Sequence, residues 1–134
     1  MSDRLPLGLL DTSVVIDLDV LPPGRLPLQV AISAITMAEL AAGPAATNDL
    51  AERARRQDRL QRAEAAFDPV PFGIAAARAY GRVFAAVLAS GRKPRRRFAD
   101  LLIASVAIAE ELPLLTRNAA DFTGLTDLLD IIEI

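Results

Sequence analysis

Short apolar runs of strand length alternate with helical patterns along this chain of 134 residues, and this alternation restricts the fold more than any other feature. The predicted strands are Leu7–Leu10, 28–35, Leu114–Thr116 and 131–134, with a weaker candidate at 68–72 whose prolines place it at a sheet edge. Strands that alternate with helices form parallel sheets. The sequence therefore predicts an α/β fold of three layers, with a parallel sheet of four or five strands and helices on both faces.

Helical patterns fill the segments between the predicted strands. The predicted helices cover residues 14–21, 36–43, 49–66, 72–88 and 99–112. The last of them is apolar almost all round, since Ser105 is its only polar residue between Leu101 and Ala109, and this pattern predicts a buried central helix. A chain of this length suits a single domain that spans residues 1–134.

The chain contains no histidine and no cysteine. These absences exclude histidine-based acid–base catalysis, cysteine nucleophiles, zinc fingers, redox dithiols and disulfide frameworks. Hydrophobic residues make up 52% of the sequence, which is enough for a packed core and excludes a disordered chain. If the protein is an enzyme, its chemistry has to come from carboxylates.

The distribution of charge predicts a polyanion, and not a membrane, as the partner. The net charge is −2, but twelve of the fifteen basic residues and three of the seventeen acidic residues lie between Arg53 and Arg97. Such an asymmetry is typical of chains that bind polyanions.

No apolar run approaches the roughly 18 residues of a membrane-spanning helix, and the apolar stretch near the N-terminus is too short for a signal peptide. We therefore expect a cytoplasmic protein with no membrane partner.

Four acidic residues fall where the predicted strands end or where the helices after them begin. Asp11 directly follows the first strand, and Glu39 lies in the first turn of the helix after the second strand. Asp100 opens the buried helix, and Asp121 lies shortly after the strand Leu114–Thr116. Because the carboxyl ends of parallel strands meet at one edge of a sheet, we expect these side chains to face one cavity.

A cluster of carboxylates is costly unless a cation neutralises it, and an all-oxygen site suits Mg²⁺ or Mn²⁺ better than zinc. Without histidine, the chemistry that fits best is metal-assisted hydrolysis of a phosphodiester. Arg95, Arg96 and Arg97 come shortly before Asp100, so their charge lies near the predicted pocket. We expect these arginines to position the phosphates of the substrate.

Each of the four acids also has a simpler explanation. Asp11 could cap the helix that follows it, and Glu39 could bond the backbone N–H of Thr36 in a capping box. Asp100 could be favoured in a first turn by the helix dipole, and Asp121 could complete a turn. These roles are common for single residues, but four acids in order at strand exits favour a metal site.

Four segments carry these acids: LLDTS at 9–13, ITMAEL at 35–40, FADLLIA at 98–104 and LLTRNAADF at 114–122. Together they resemble the ordered motifs of PIN-domain nucleases, and most closely the small VapC-type toxins of bacterial toxin–antitoxin pairs. The resemblance implies that Asp11, Glu39, Asp100 and Asp121 hold Mg²⁺, with Mn²⁺ as the alternative. It also implies that four polar residues support the pocket or contact the metal's water and the phosphate: Thr12, Ser13, Thr116 and Asn118.

The resemblance further implies a site-specific endoribonuclease that cuts RNA and arrests growth by inhibiting translation. The implied partners are RNA and a cognate VapB-like antitoxin whose tail covers the site. A homodimer is implied as well, and a heterotetramer or larger complex with the antitoxin.

Two alternatives of other classes remain. A receiver-like phosphoacceptor domain has a similar size and sheet, but it needs paired acids near the first strand and a lysine after a late strand. The only lysine is Lys93, within the basic segment, and Asp11 has no acidic neighbour directly before it, which makes this alternative weak. The other alternative is a non-catalytic PIN-like module that binds RNA or a protein. Metal-dependent cleavage separates it from the nuclease.

Overall fold

A computed structural model describes residues 4–134, and within them one sheet of four parallel strands runs in the order β2-β1-β3-β4. The strands are β1 Leu7–Leu10, β2 Gln29–Ile32, β3 Leu114–Thr116 and β4 Ile131–Glu133. The predicted parallel sheet is confirmed. The edge candidate at 68–72 is not a strand, because only Val70 joins the sheet, by a single bridge to Ser33. The prolines on both sides of Val70 have no N–H to extend this pairing.

Five α-helices lie in the described part of the chain: α1 Thr12–Ile16, α2 Ala34–Ala42, α3 Leu50–Ala66, α4 Ile74–Ala89 and α5 Phe98–Ala109. The predicted helix at 14–21 is wrong in extent, since α1 has five residues and a 3₁₀ turn over Leu18–Val20 follows it. α3 begins as predicted, because Asp49 Oδ1 accepts a hydrogen bond of 3.0 Å from Ala51 N. α5 ends earlier than predicted, and just beyond its end Glu111 adopts a φ of 56°, which cannot continue a helix.

The start of α2 differs from the prediction in a way that matters for Glu39. Ser33 is the N-cap, and its hydroxyl accepts a hydrogen bond of 3.1 Å from Thr36 N. The helix therefore begins at Ala34, and Glu39 is its sixth residue. The placement of Glu39 in the first turn was wrong, and the capping box from Thr36 does not form.

Successive residues of the strands point to opposite faces of the sheet, and each face carries its own hydrophobic core. Leu9 and Leu114 pack with residues of α4 and α5, including Val83 and Ile103. The other core, on the opposite face, packs against α1, α2 and α3 and contains Leu10, Leu115, Ile32, Val14, Leu40 and Ala63. The three predicted layers are confirmed. None of the helices within residues 4–134 combines the length and the apolar character needed to cross a membrane.

The sheet order brings distant parts of the chain together at one edge. β1 and β3 are neighbours, with Leu10 paired to Leu115. The next residues along these strands, Asp11 and Thr116, therefore lie side by side where the strands end. Ser33 follows β2 on the other side of β1, so α2 also starts at this edge.

Candidate active site

Asp11 is a buried carboxylate, only 3% exposed, at the end of the central strand β1. It occupies the N-cap position of α1, but its side chain makes no capping hydrogen bond. Instead, Oδ2 accepts hydrogen bonds from Ser13 Oγ at 2.8 Å and from Thr116 Oγ1 at 2.9 Å. The simple explanation of Asp11 as a helix cap is therefore wrong.

Two backbone amides fix the direction of these hydrogen bonds. Arg117 N donates to Ser13 Oγ at 3.1 Å, and Asn118 N donates to Thr116 Oγ1 at 3.1 Å. Each hydroxyl thus accepts a hydrogen bond from an amide and donates one to Asp11. The segment after β3 therefore holds this carboxylate through two hydrogen-bond relays. Hydrogen bonds to a charged oxygen are stronger than those between neutral groups.

The second oxygen of Asp11 has a different environment. Oδ1 is buried and has no hydrogen-bond partner within the described residues. A buried carboxylate oxygen without a partner costs free energy, since it has lost water and gained nothing. A cation at this oxygen would remove that cost.

Glu39 reaches the same edge from α2. Its Oε1 accepts a hydrogen bond of 2.6 Å from Thr12 Oγ1, which also lies 2.9 Å from the buried Thr36 Oγ1. Thr36 thus anchors Thr12, and Thr12 orients Glu39. The sequence prediction included Thr12 but missed Thr36, which was considered only as a helix cap.

Asp100 lies in the first turn of α5, half-buried among other acids. Burial and, after it, the charges of Asp11, Asp121 and Glu39 together raise the pKa of its carboxyl from 3.8 to about 7, while Arg97 opposes them. The helix dipole therefore does not suffice to explain an acid here, since its environment disfavours the charged form. The charges of the other three predicted acids all act on Asp100, as expected for one pocket.

Asp121 is part of a 3₁₀ turn over Ala119–Phe122 that follows β3. Its Oδ1 accepts a hydrogen bond of 3.1 Å from Asn118 Nδ2 and lies 3.0 Å from Arg97 Nη1. Arg92 also holds this turn, by donating from Nη1 to Ala120 O at 3.1 Å. The sequence prediction did not single out this role of Arg92. It lay in the basic segment that had been expected to contact a polyanion.

The three arginines that were predicted to bind phosphate do not all line the same cavity. Arg96 and Arg97 line a cavity of about 400 Å³ that also includes Asp121. Arg95 lines a separate cavity, together with the aromatic side chains of Tyr80 and Phe98. The structure thus brings Arg96 and Arg97 towards the acidic pocket and leaves Arg95 apart from it.

The four carboxylates do not form a ready-made metal site. Within residues 4–134, no three acidic side chains are placed so that they could hold an ion together. Glu39 is held by Thr12, and Asp121 is held by Asn118 and Arg97. The donor set nevertheless fits a hard divalent cation, because it consists of carboxylate oxygens and includes the unpartnered Asp11 Oδ1.

Comparison with known proteins gives concordant matches. A family model of the PIN domain matches residues 9–123. The chain is 38% identical over 130 residues to Ribonuclease VapC5 of Mycobacterium tuberculosis, which covers 93% of this chain and 92% of that protein. The crystal structure of VapBC-5 from M. tuberculosis, a member of the VapBC family of toxin–antitoxin systems, matches with a TM-score of 0.84 and 34% identity, over 96% of this chain and 99% of that one. VapBC2 from Rickettsia felis, bound to a DNA fragment from their promoter, shares the fold with a TM-score of 0.74 and 23% identity, over 96% and 98% of the two chains.

Proposed function

This chain belongs to the PIN-domain family, among the VapC-type ribonucleases, and from that premise we propose that it is a metal-dependent, site-specific endoribonuclease that acts as the toxin of a toxin–antitoxin pair. The observation that carries the metal dependence is Asp11 Oδ1, a buried carboxylate oxygen with no partner in the described residues. It lies in a pocket where burial, and then the charges of Asp11, Asp121 and Glu39, raise the pKa of Asp100 to about 7, and this concentration of negative charge favours a bound cation.

In this proposal, Asp11, Glu39, Asp100 and Asp121 hold Mg²⁺ or Mn²⁺. When bound, the ion would supply an activated water as nucleophile and neutralise charge that develops on the phosphodiester. The chain's own residues prepare the site. Ser13 and Thr116 hold Asp11 in one orientation, so that Oδ1 stays free for a ligand.

Two further polar residues hold the outer carboxylates of the pocket. Thr12 fixes the carboxylate of Glu39, and Asn118 fixes that of Asp121. Arg96 supplies positive charge beside Asp121, in the cavity that they share, where an RNA phosphate would lie. In this proposal the protein's residues orient the carboxylates and the substrate phosphate, and the cation neutralises the carboxylates.

The partners follow from the family. The chain is a toxin that pairs with a cognate VapB-like antitoxin in an oligomeric assembly, as in the VapBC complexes that share its fold. We propose a homodimer, and a heterotetramer or larger complex with the antitoxin. The alternative is a PIN-like module that binds RNA or a protein without cutting.

The test uses the purified chain with total RNA, and cleavage ends are mapped by sequencing. We expect defined cuts with Mg²⁺ or Mn²⁺ and none in excess EDTA. Asp11→Asn, which removes the charge at nearly constant volume, should abolish cleavage while circular dichroism and the melting temperature show an intact fold. Undiminished cutting in EDTA would contradict the metal dependence. RNA binding without cleavage under every metal condition would favour the non-catalytic module.

A further inference from the structure

Arg97 forms ion pairs with two of the four proposed metal ligands. Its Nη1 lies 3.0 Å from Asp121 Oδ1 and 4.0 Å from Asp100 Oδ2. Of the ion pairs formed within residues 4–134, every one that involves a proposed ligand comes from Arg97. A positive charge of the protein itself therefore lies at the carboxylates that are proposed to hold the divalent ion.

The backbone keeps Arg97 at this position. It ends the 3₁₀ turn Pro94–Arg97 and is the N-cap residue of α5, three residues before Asp100. The guanidinium of Arg97 can move more freely than the carboxylates that it contacts. The side chain of Arg97 is 53% exposed, against 22% for Asp100 and 16% for Asp121. Arg97 can thus leave the carboxylates for solvent, while the carboxylates stay in place.

From this geometry we infer that Arg97 is the counter-cation of the metal-free pocket, and that a divalent ion has to displace its guanidinium in order to bind. The inference rests on the proposed function, because it takes the four acids as the metal ligands. A guanidinium stays protonated at any accessible pH, so it cannot give way by losing its charge. It competes with the ion for the same oxygens and repels the ion while it remains there.

The displacement also gives Arg97 a second position. A guanidinium released from Asp121 is free to pair with phosphate oxygens, which it binds in the same planar geometry as a carboxylate. The predicted contact of Arg97 with RNA therefore follows metal binding and does not precede it. Arg97 thus compensates negative charge in the metal-free pocket, and the divalent ion compensates it in the metal-bound pocket.

The test measures Mn²⁺ binding to the full chain without RNA, by electron paramagnetic resonance of free Mn²⁺, at a pH above the value of about 7 at which Asp100 titrates. Arg97→Gln should bind Mn²⁺ about three- to tenfold more tightly than the unmodified chain, the range expected for loss of a half-exposed competing charge. Arg97→Lys, which keeps the charge, should bind Mn²⁺ with an affinity close to that of the unmodified chain.

Arg96→Gln is the matched control. Arg96 has the same charge and lines the same cavity, but it forms no ion pair among the described residues. Its replacement should change Mn²⁺ affinity by less than about twofold, as expected for screened charges without contact. Melting curves of the metal-free variants check that each one folds.

Three results would overturn the inference. Mn²⁺ affinity of Arg97→Gln that is unchanged or weaker would show that Arg97 does not compete with the ion. An equal gain in Arg96→Gln would show that only the overall charge matters. An unmodified chain that binds no Mn²⁺ would refute the metal site itself, whereas one that binds Mn²⁺ and cuts RNA without any gain in Arg97→Gln would refute this inference alone.

Discussion

Replacing Asp100 by asparagine should stabilise the metal-free protein, and the gain should depend on pH. Burial, followed by the charges of Asp11, Asp121 and Glu39, raises the pKa of Asp100 from 3.8 to about 7. Between these values the folded protein binds a proton that the unfolded chain has lost. The free energy of unfolding of the unmodified chain therefore falls as pH rises through this window. Above pH 7 the full cost of the ionised Asp100 in the folded protein is present.

The magnitude follows from the same two values. A tenfold change in proton affinity corresponds to about 1.4 kcal/mol. The rise in the pKa of Asp100 from 3.8 to about 7 therefore corresponds to roughly 4 kcal/mol of lost stability above the folded value, and to none below 3.8. The side chain is 22% exposed, so solvent screens it only in part. Asp100→Asn removes this cost while nearly preserving the volume of the side chain.

The assay is urea unfolding of both proteins in EDTA, at pH values from below 3.8 to above 7. The variant should be more stable at the upper end, and the difference should vanish at the lower end. Asp130→Asn is the control, because Asp130 is exposed and lies before β4, at the opposite edge of the sheet. Added Mn²⁺ should stabilise the unmodified chain more than the variant. A difference that is absent, or the same at every pH, would refute the reasoning.

Two further variants test the surroundings of the pocket. Thr116→Val keeps the shape of a buried side chain but removes a hydroxyl that donates to Asp11, so Mn²⁺ affinity should fall about 10–100-fold, measured by titration, and an unchanged affinity would mean that Ser13 alone orients the carboxylate. Arg95→Gln and Arg96→Gln should each reduce the slope of log RNA affinity against log salt by roughly one unit or less if the arginine contacts a phosphate, and binding titrations at several salt concentrations would contradict such a contact if the slope stayed the same.

The sequence predicts that Asp11 meets the segment after β3 because this meeting depends on sheet topology. Parallel strands end at one edge, so Asp11 and the residues after β3 had to meet there once the strands were recognised. The start of α2 was predicted wrongly because Ser33 and Thr36 are both good helix caps. The choice between them depends on where β2 stops pairing with β1, which is a tertiary property.

The direction of long side chains could not be predicted either. Arg95, Arg96 and Arg97 are neighbours in sequence and look equivalent, yet the first lines a separate cavity with aromatic residues, the second lines the cavity beside Asp121, and the third pairs with two acids. The hydroxyl relays from Ser13 and Thr116 depend on contacts across more than one hundred residues, for which a single sequence carries no periodic signal.

The separation of Asp11 and Thr116 along the chain also determines when their contact can form during synthesis. β1 is synthesised before its neighbour β3, and Thr116 meets Asp11 across 105 residues. Contacts over such distances form late, because a long loop has to close before they contribute. The growing chain thus carries the Asp11 carboxylate without the strand that orients it until β3 has been made. We therefore expect the site to assemble only after β3 has been synthesised.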